Sequence, residues 1–178
     1  MWDILQKMPG REAQDKKWSK LWAEAFKYQG GLWKAGKVNN PLNRLELKWV
    51  KAPTASYPCI TTAVKAAQLR DLVPVVLELC KRHNSGSDED MLRLLALKNL
   101  QRYYAVVAEA GMFLTDDQKK NLMDAVQDFQ ECYGNLCSLA QKEEKMLWSE
   151  TPKLHFFWHL AKQAQLLNPK VFWTYIHV

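Results

Sequence analysis

Glycine and proline are scarce in this sequence, and their scarcity limits the folds that it can adopt. Seven of each occur in 178 residues, too few for a β-sandwich of many short strands and tight turns. Apolar residues make up 48% and charged residues 25%, a balance that excludes a disordered chain and supports a packed core. The length fits one domain, residues 1–178.

Long apolar runs are also missing. No segment approaches the roughly 18 apolar residues of a membrane-spanning helix, and the first ten residues lack the apolar stretch of a signal peptide. The four cysteines (Cys59, Cys80, Cys132 and Cys137) have no secretory context, so we expect reduced thiols. These absences predict an intracellular protein, in the cytoplasm or the nucleus, with no membrane partner.

The motifs of common catalytic sites are absent as well. The sequence contains no G-x-S-x-G, no phosphate-cradling glycine loop and no H-E-x-x-H. Asp124 and Asp128 form an i, i+4 carboxylate pair, which is more typical of a solvated helix face than of a Mg²⁺ site. We therefore expect a protein that is not an enzyme and that needs no organic cofactor.

What the sequence does contain is helical periodicity, which predicts an all-α bundle of five to seven helices. Apolar residues recur at helical spacing from Arg11 to Gln29, and Gly30-Gly31 is the predicted end of that helix. Leu42 to Val50 is a short element. Further helices are predicted over 61–82 with a kink at Pro74, 87–110, 115–146 and 151–168, and an extended tail is predicted over 171–178. The helical core thus occupies residues 59–178.

The helix at 87–110 is apolar on most sides, which predicts burial in the middle of the bundle. Thr115-x-x-Gln118 is a capping box for the longest helix, which carries a heptad-like apolar seam. Gly134 in its middle predicts a bend or a close helix contact.

Positive charge is concentrated at the amino-terminal end. Residues 1–51 contain 11 Lys and Arg against five Asp and Glu, together with five of the eight Trp, whereas the remainder has 14 of each sign. Such a segment attracts nucleic acid or an acidic protein surface, although a solvated lysine-rich helix face has the same composition. Lysines would neutralise phosphates, and exposed indoles would stack on bases. The candidate residues are Lys16, Lys20, Lys27, Trp33, Lys34, Lys37, Lys48, Trp49 and Lys51.

A metal site is the second candidate. His155 and His159 are four residues apart on a predicted helix, so both imidazoles share one face. Zinc needs further ligands, and Cys132 and Cys137 are the nearest cysteines. The alternative is a boundary histidine pair with two small core thiols.

The segment from Thr151 to Tyr175, TPKLHFFWHLAKQAQLLNPKVFWTY, resembles a region near the end of DDE-type transposases of the CACTA sort. The resemblance implies that His155 and His159 belong to a zinc-binding helical insertion and that Trp173 and Tyr175 match its aromatic patch. The catalytic acid of that family has no counterpart after Tyr175. The resemblance therefore implies a helical piece of a mobile-element protein without a catalytic core.

These features predict a non-catalytic helical domain that contacts nucleic acid through residues 1–51. The alternative is a helical scaffold for protein–protein interaction, in which the long helix and aromatic patches bind another chain or a second copy.

Overall fold

The fold of the described residues is built from helices. The computed structural model describes residues 1–50 and 64–170, where six α-helices, a 3-10 turn at Leu47–Trp49 and no strand occur. The helices are α1 Trp2–Lys7, α2 Gln14–Lys34, α3 Ala66–Arg82, α4 Asp88–Glu109, α5 Asp116–Lys142 and α6 Pro152–Gln163. The all-α prediction is confirmed, and none of these described helices combines the length and apolarity that crossing a bilayer requires. The predicted tail, 171–178, lies outside the described residues.

Two helices begin with the side-chain caps that the sequence predicts. Ser87 caps α4, its hydroxyl accepting the Asp90 N–H at 3.3 Å. Thr115 and Gln118 form the predicted capping box of α5, with reciprocal bonds of 3.2 and 3.0 Å. These side chains satisfy backbone N–H groups that a helix start leaves without partners.

The predicted end of α2 at Gly30-Gly31 is wrong. The helix continues to Lys34, and the chain turns away two residues later at Gly36, whose φ of +69° is readily adopted only by glycine. The Lys37 N–H bonds the Leu32 carbonyl at 2.9 Å, and the Gly36 N–H bonds that of Trp33. This pattern is a Schellman motif, so Gly36, and not Gly30-Gly31, terminates the helix.

Other predicted bounds shift for similar local reasons. The helix α5 ends at Lys142 rather than 146, because Glu144 adopts the left-handed conformation with φ of +53°. The helix α3 begins at Ala66, after non-helical Val64 and Lys65, and continues through Pro74. The predicted close contact at Gly134 is also wrong, since a Cβ there would meet nothing within 4 Å.

Consecutive helices pack against one another, and α4 lies between α3 and α5. One buried cluster joins α1, α2 and α3 and includes Leu94 of α4. A second cluster joins Tyr103 and Val107 of α4 with α5 and α6. The helix α4 therefore contributes to both clusters. The predicted burial on most of its sides is only partly right, since Leu95 is 41% exposed.

The short helix α1 is held by buried charges on α4, and no sequence pattern predicted it. Arg93 donates to Asp3 and, at 2.8 Å, to Asp90, while Lys7 bonds Asp90 at 2.8 Å. Burial alone would raise the pKa of Asp90, but hydrogen bonds from Lys7 and Ser85 and the Arg93 charge outweigh it, so this pKa is lowered. The network fixes the chain start against the middle of the bundle.

Candidate functional site

Four lysines of α2 form one exposed row, which we call the basic stripe: Lys16, Lys20, Lys27 and Lys34. They are separated by four, seven and seven residues, which at 3.6 residues per turn places them within about 40° of one another around the helix axis. The row extends about 27 Å along α2 at 1.5 Å per residue. Buried Trp18, Leu21 and Ala25 lie on the opposite side, where they contact the core.

Most of the stripe is not neutralised. Among the described residues, no carboxylate lies within 4 Å of Lys16, Lys27 or Lys34, whereas Lys20 pairs with Glu12 at 2.7 Å. The acid nearest to the middle of the stripe, Glu24, is held instead by α3.

The charge of Glu24 is compensated by side chains at the end of α3. Glu24 bonds Arg82 at 3.2 Å and His83 at 3.1 Å, both beyond the basic stripe. Lys17, which lies off the stripe, donates to the Met8 carbonyl at 2.7 Å. Among the described residues, the stripe therefore forms one direct ion pair only, between Lys20 and Glu12.

Three aromatic residues lie along one side of the stripe and form what we call the aromatic flank: Trp22, Phe26 and Trp33. Helical geometry places them roughly 100° around the axis from the lysines. Phe26 is 48% and Trp33 57% exposed, and Trp22 is half-buried. The Trp22 and Phe26 ring centroids are 6.2 Å apart with tilted planes, so these two rings are neighbours on the side of α2 that adjoins the basic stripe.

The loop after α2 forms one wall of a groove beside the aromatic flank. The Trp18 indole donates to the Leu45 carbonyl at 2.9 Å, and Gln29 donates to the Leu42 carbonyl at 3.0 Å. These two buried bonds hold the loop against α2 and enclose a groove of about 390 Å³ lined by Trp22, Phe26 and Arg44. The groove has room for a planar ring beside a cation.

The structure brings only some of the predicted residues together. Trp33 is on the last turn of α2 and not in a loop, so it lies on the same helix as the lysines of the stripe. Lys48 pairs with Glu46 at 2.9 Å, a bond that lowers the pKa of the Glu46 carboxyl. Trp49 is half-buried against the core, and Lys51 lies outside the described residues.

Lys37 also lies apart from the stripe. It lines a separate cleft with Arg70 and Lys170, between α3, α4 and the segment after α6. The predicted nucleic-acid residues therefore separate into the basic stripe with Trp33, the cleft residue Lys37, and two residues of the loop after α2.

The sequence predicts one apolar face on α2, formed by Trp18, Leu21, Trp22, Ala25 and Phe26, and gives no signal for Arg44. Trp22 does pack partly against the core, whereas Phe26 is 48% exposed. The five residues span roughly 140° around the helix axis, and Phe26 lies at the edge of that arc. Arg44 has no pattern of its own, because the hydrogen bonds from Trp18 and Gln29 position it.

The predicted four-residue metal site is not assembled. His155 and His159 do meet on α6, with their Nε2 atoms 2.8 Å apart and both side chains exposed. Among the described residues, however, no group of three or more His, Cys, Asp or Glu side chains converges. Cys132 and Cys137 are on α5, which stays helical across Gly134, so they point in different directions.

Burial raises the pKa of both the Cys132 and the Cys137 thiol, and thiols rather than the thiolates that bind metals are thereby favoured. The aromatic patch of the resemblance, Trp173 and Tyr175, lies outside the described residues.

No family model matches the chain, and neither a curated protein nor a solved structure does. The transposase resemblance of residues 151–175 stays a prediction.

Proposed function

We propose that α2 binds nucleic acid, with the basic stripe on the phosphates and the aromatic flank beside the bases. The observation that carries the proposal is the alignment of Lys16, Lys27 and Lys34 on one exposed face without a carboxylate partner among the described residues. This function needs no catalytic residue. An intracellular location, nuclear or cytoplasmic, goes with it, and so does an origin in a mobile-element protein.

Electrostatics supplies the affinity in this proposal. Each lysine that neutralises a phosphate releases condensed counterions, which gives sequence-independent binding. With three or four such contacts, the dissociation constant falls in the range of about 10⁻⁴ to 10⁻⁶ M that is usual for non-specific binding at physiological salt.

Stacking supplies a second contribution. Trp33 and Phe26 are exposed on the side of α2 next to the stripe, and a base stacked on an aromatic side chain contributes about 1–3 kcal/mol. Bases in a duplex are not free to stack in this way, so the aromatic flank favours single strands.

The test compares two triple variants of equal charge change. K16Q/K27Q/K34Q removes the unpaired part of the stripe, and K98Q/K120Q/K153Q removes three exposed lysines elsewhere. Fluorescence anisotropy with a labelled 20-nucleotide strand in 50 mM salt should show binding weakened at least about 10-fold by the first variant and much less by the second. Circular dichroism checks that both keep their helices. Equal weakening would contradict the proposal.

A protein-interaction scaffold is the second candidate, and one surface favours it. Met112 and Phe113 in the α4–α5 loop are 57% and 68% exposed, and Leu166 after α6 is 75% exposed. The Asn168 N–H bonds the Met112 carbonyl at 2.8 Å and brings the two loops together. Light scattering after size exclusion distinguishes this candidate: a dimer that F113S/L166S converts to a monomer would support it, and a monomer at all concentrations would count against self-association.

A further inference from the structure

We propose that the cleft lined by Lys37, Arg70 and Lys170 binds a small organic phosphate with a flat, apolar body of about nucleotide size. This site is separate from the basic stripe and does not rest on the nucleic-acid proposal. The cleft has a volume of about 370 Å³ and lies between α3, α4, the loop after α2 and the segment after α6. Pockets for small molecules start at about 300 Å³.

The cleft is lined by both apolar and cationic groups, as a phosphate ligand with an apolar body requires. Val38, Val73, Pro74 and the Tyr104 ring supply apolar surface, and Lys37, Arg70 and Lys170 supply positive charge. Apolar walls with a few polar groups are typical of ligand pockets. Guanidinium and ammonium groups are the usual protein partners of phosphate.

Asp71 is the only carboxylate among the described residues that line the cleft, and its oxygens already accept hydrogen bonds. Asp71 accepts the N–H groups of Asn39 and Asn40 at 2.9 and 2.8 Å, and Arg70 donates to its other oxygen at 3.1 Å. These bonds consume most of the acceptor capacity of Asp71. They also fix the loop that carries Lys37 against the helix that carries Arg70.

The third cation is positioned by a buried amide. Asn168 is completely buried, and its side-chain nitrogen donates to the carbonyls of Val107, Ala110 and Gly111 at 2.9–3.1 Å. Its side-chain oxygen accepts the Lys170 N–H at 3.0 Å, and the Lys170 ammonium donates to the Ala110 carbonyl. An ammonium has three donors, so Lys170 keeps two for a ligand after that bond.

The cleft thus combines cations held by separate hydrogen bonds with an apolar and aromatic wall.

The test uses adenosine monophosphate as the probe, with adenosine and inorganic phosphate as its two halves. Isothermal titration calorimetry on the full chain should show one molecule of adenosine monophosphate bound. Each half should bind at least about 10-fold more weakly, because each occupies only the apolar or only the cationic part. Equal binding of phosphate alone, or no binding of adenosine monophosphate, would overturn the proposal.

Two variants locate the site. K37Q/K170Q removes two cations, and Ala108→Phe fills the cleft from an exposed position of α4 without a change of charge. Each should weaken binding at least about 10-fold, whereas the stripe variant K16Q/K27Q/K34Q should leave it unchanged. Weakening by the stripe variant alone would overturn the assignment. Since K37Q/K170Q leaves the stripe intact, failure here is distinguishable from failure of the nucleic-acid proposal.

Discussion

At the scale of single residues, the buried cation Arg93 is central to the stability of the fold. It is 2% exposed and bridges Asp3 at the chain start to Asp90 at the start of α4. Buried charges are tolerable only when they are paired, since removal from water costs several kcal/mol for each ion. Arg93 is therefore the one cation that pairs with both of these buried carboxylates among the described residues.

Replacing Arg93 by methionine should destabilise the protein by about 3 kcal/mol. This is the low end of the range for a broken buried ion pair, because Asp90 keeps its bonds from Lys7 and Ser85. Urea unfolding measures the change. The matched control is Lys20→Met, which breaks the exposed pair with Glu12 and should cost less than about 1 kcal/mol. Equal losses in the two variants would show that Arg93 contributes no more than a surface ion pair.

At the scale of helices, the glycines of α2 have a measurable cost. Gly30 and Gly31 lie within the helix, and a Cβ at either position would meet nothing within 4 Å. Glycine in a helix interior is about 1 kcal/mol less favourable than alanine. The double variant G30A/G31A should therefore raise the free energy of unfolding by about 1–2 kcal/mol and raise the melting temperature.

The control for that prediction is Gly36→Ala. Because Gly36 has a φ of +69°, alanine there should lower stability by about 1 kcal/mol. If G30A/G31A lowered the melting temperature instead, α2 would end near residue 29, and Lys34 would no longer share a face with Lys16.

The attachment of α1 to α4 should depend on pH. The pKa values of Asp3 and Asp90 are lowered in the folded state, where the charges of Arg93, Lys7 and the amino terminus outweigh the cost of burial. A carboxyl with a lowered pKa contributes stability above its unfolded pKa of about 4 and loses it as the pH falls further. Unfolding free energies measured from pH 6 to 2.5 should therefore fall below about pH 4, and less steeply in D90N. Equal slopes in both proteins would contradict this account.

Some helix bounds could be read from the sequence because their determinants are local. The side chains of Ser87 and Thr115 accept backbone N–H groups three residues further along the chain, so the capping pattern is visible in a short stretch of sequence. The stop of α5 at Glu144 was not visible, because the left-handed residue there is not glycine. The helix α1 was missed because six residues are too few to display a 3.6-residue period; contacts between Asp3 and Arg93, 90 residues apart, hold it.

At the scale of the whole molecule, the surplus of positive charge in residues 1–51 was evident from composition, but its distribution was not. Lys7 is neutralised by Glu89 and Asp90, and Lys48 by Glu46, whereas Glu24 is drawn away by Arg82. Pairings over more than 50 residues have no signature in sequence. Three lysines of the basic stripe, Lys16, Lys20 and Lys27, lie within the helix predicted from the sequence. Lys34 joins them only because α2 continues through Gly30-Gly31.

The most direct measurement is the salt dependence of binding to a labelled nucleic acid, for the wild-type protein and K16Q/K27Q/K34Q. The slope of log K against log salt counts neutralised phosphates, at about 0.9 per contact on duplex DNA and about 0.7 on single strands. We predict that the triple variant reduces the slope by about 2–3, and that K98Q/K120Q/K153Q leaves it unchanged. A wild-type affinity indifferent to salt, or a slope that the stripe variant does not alter, would contradict the account.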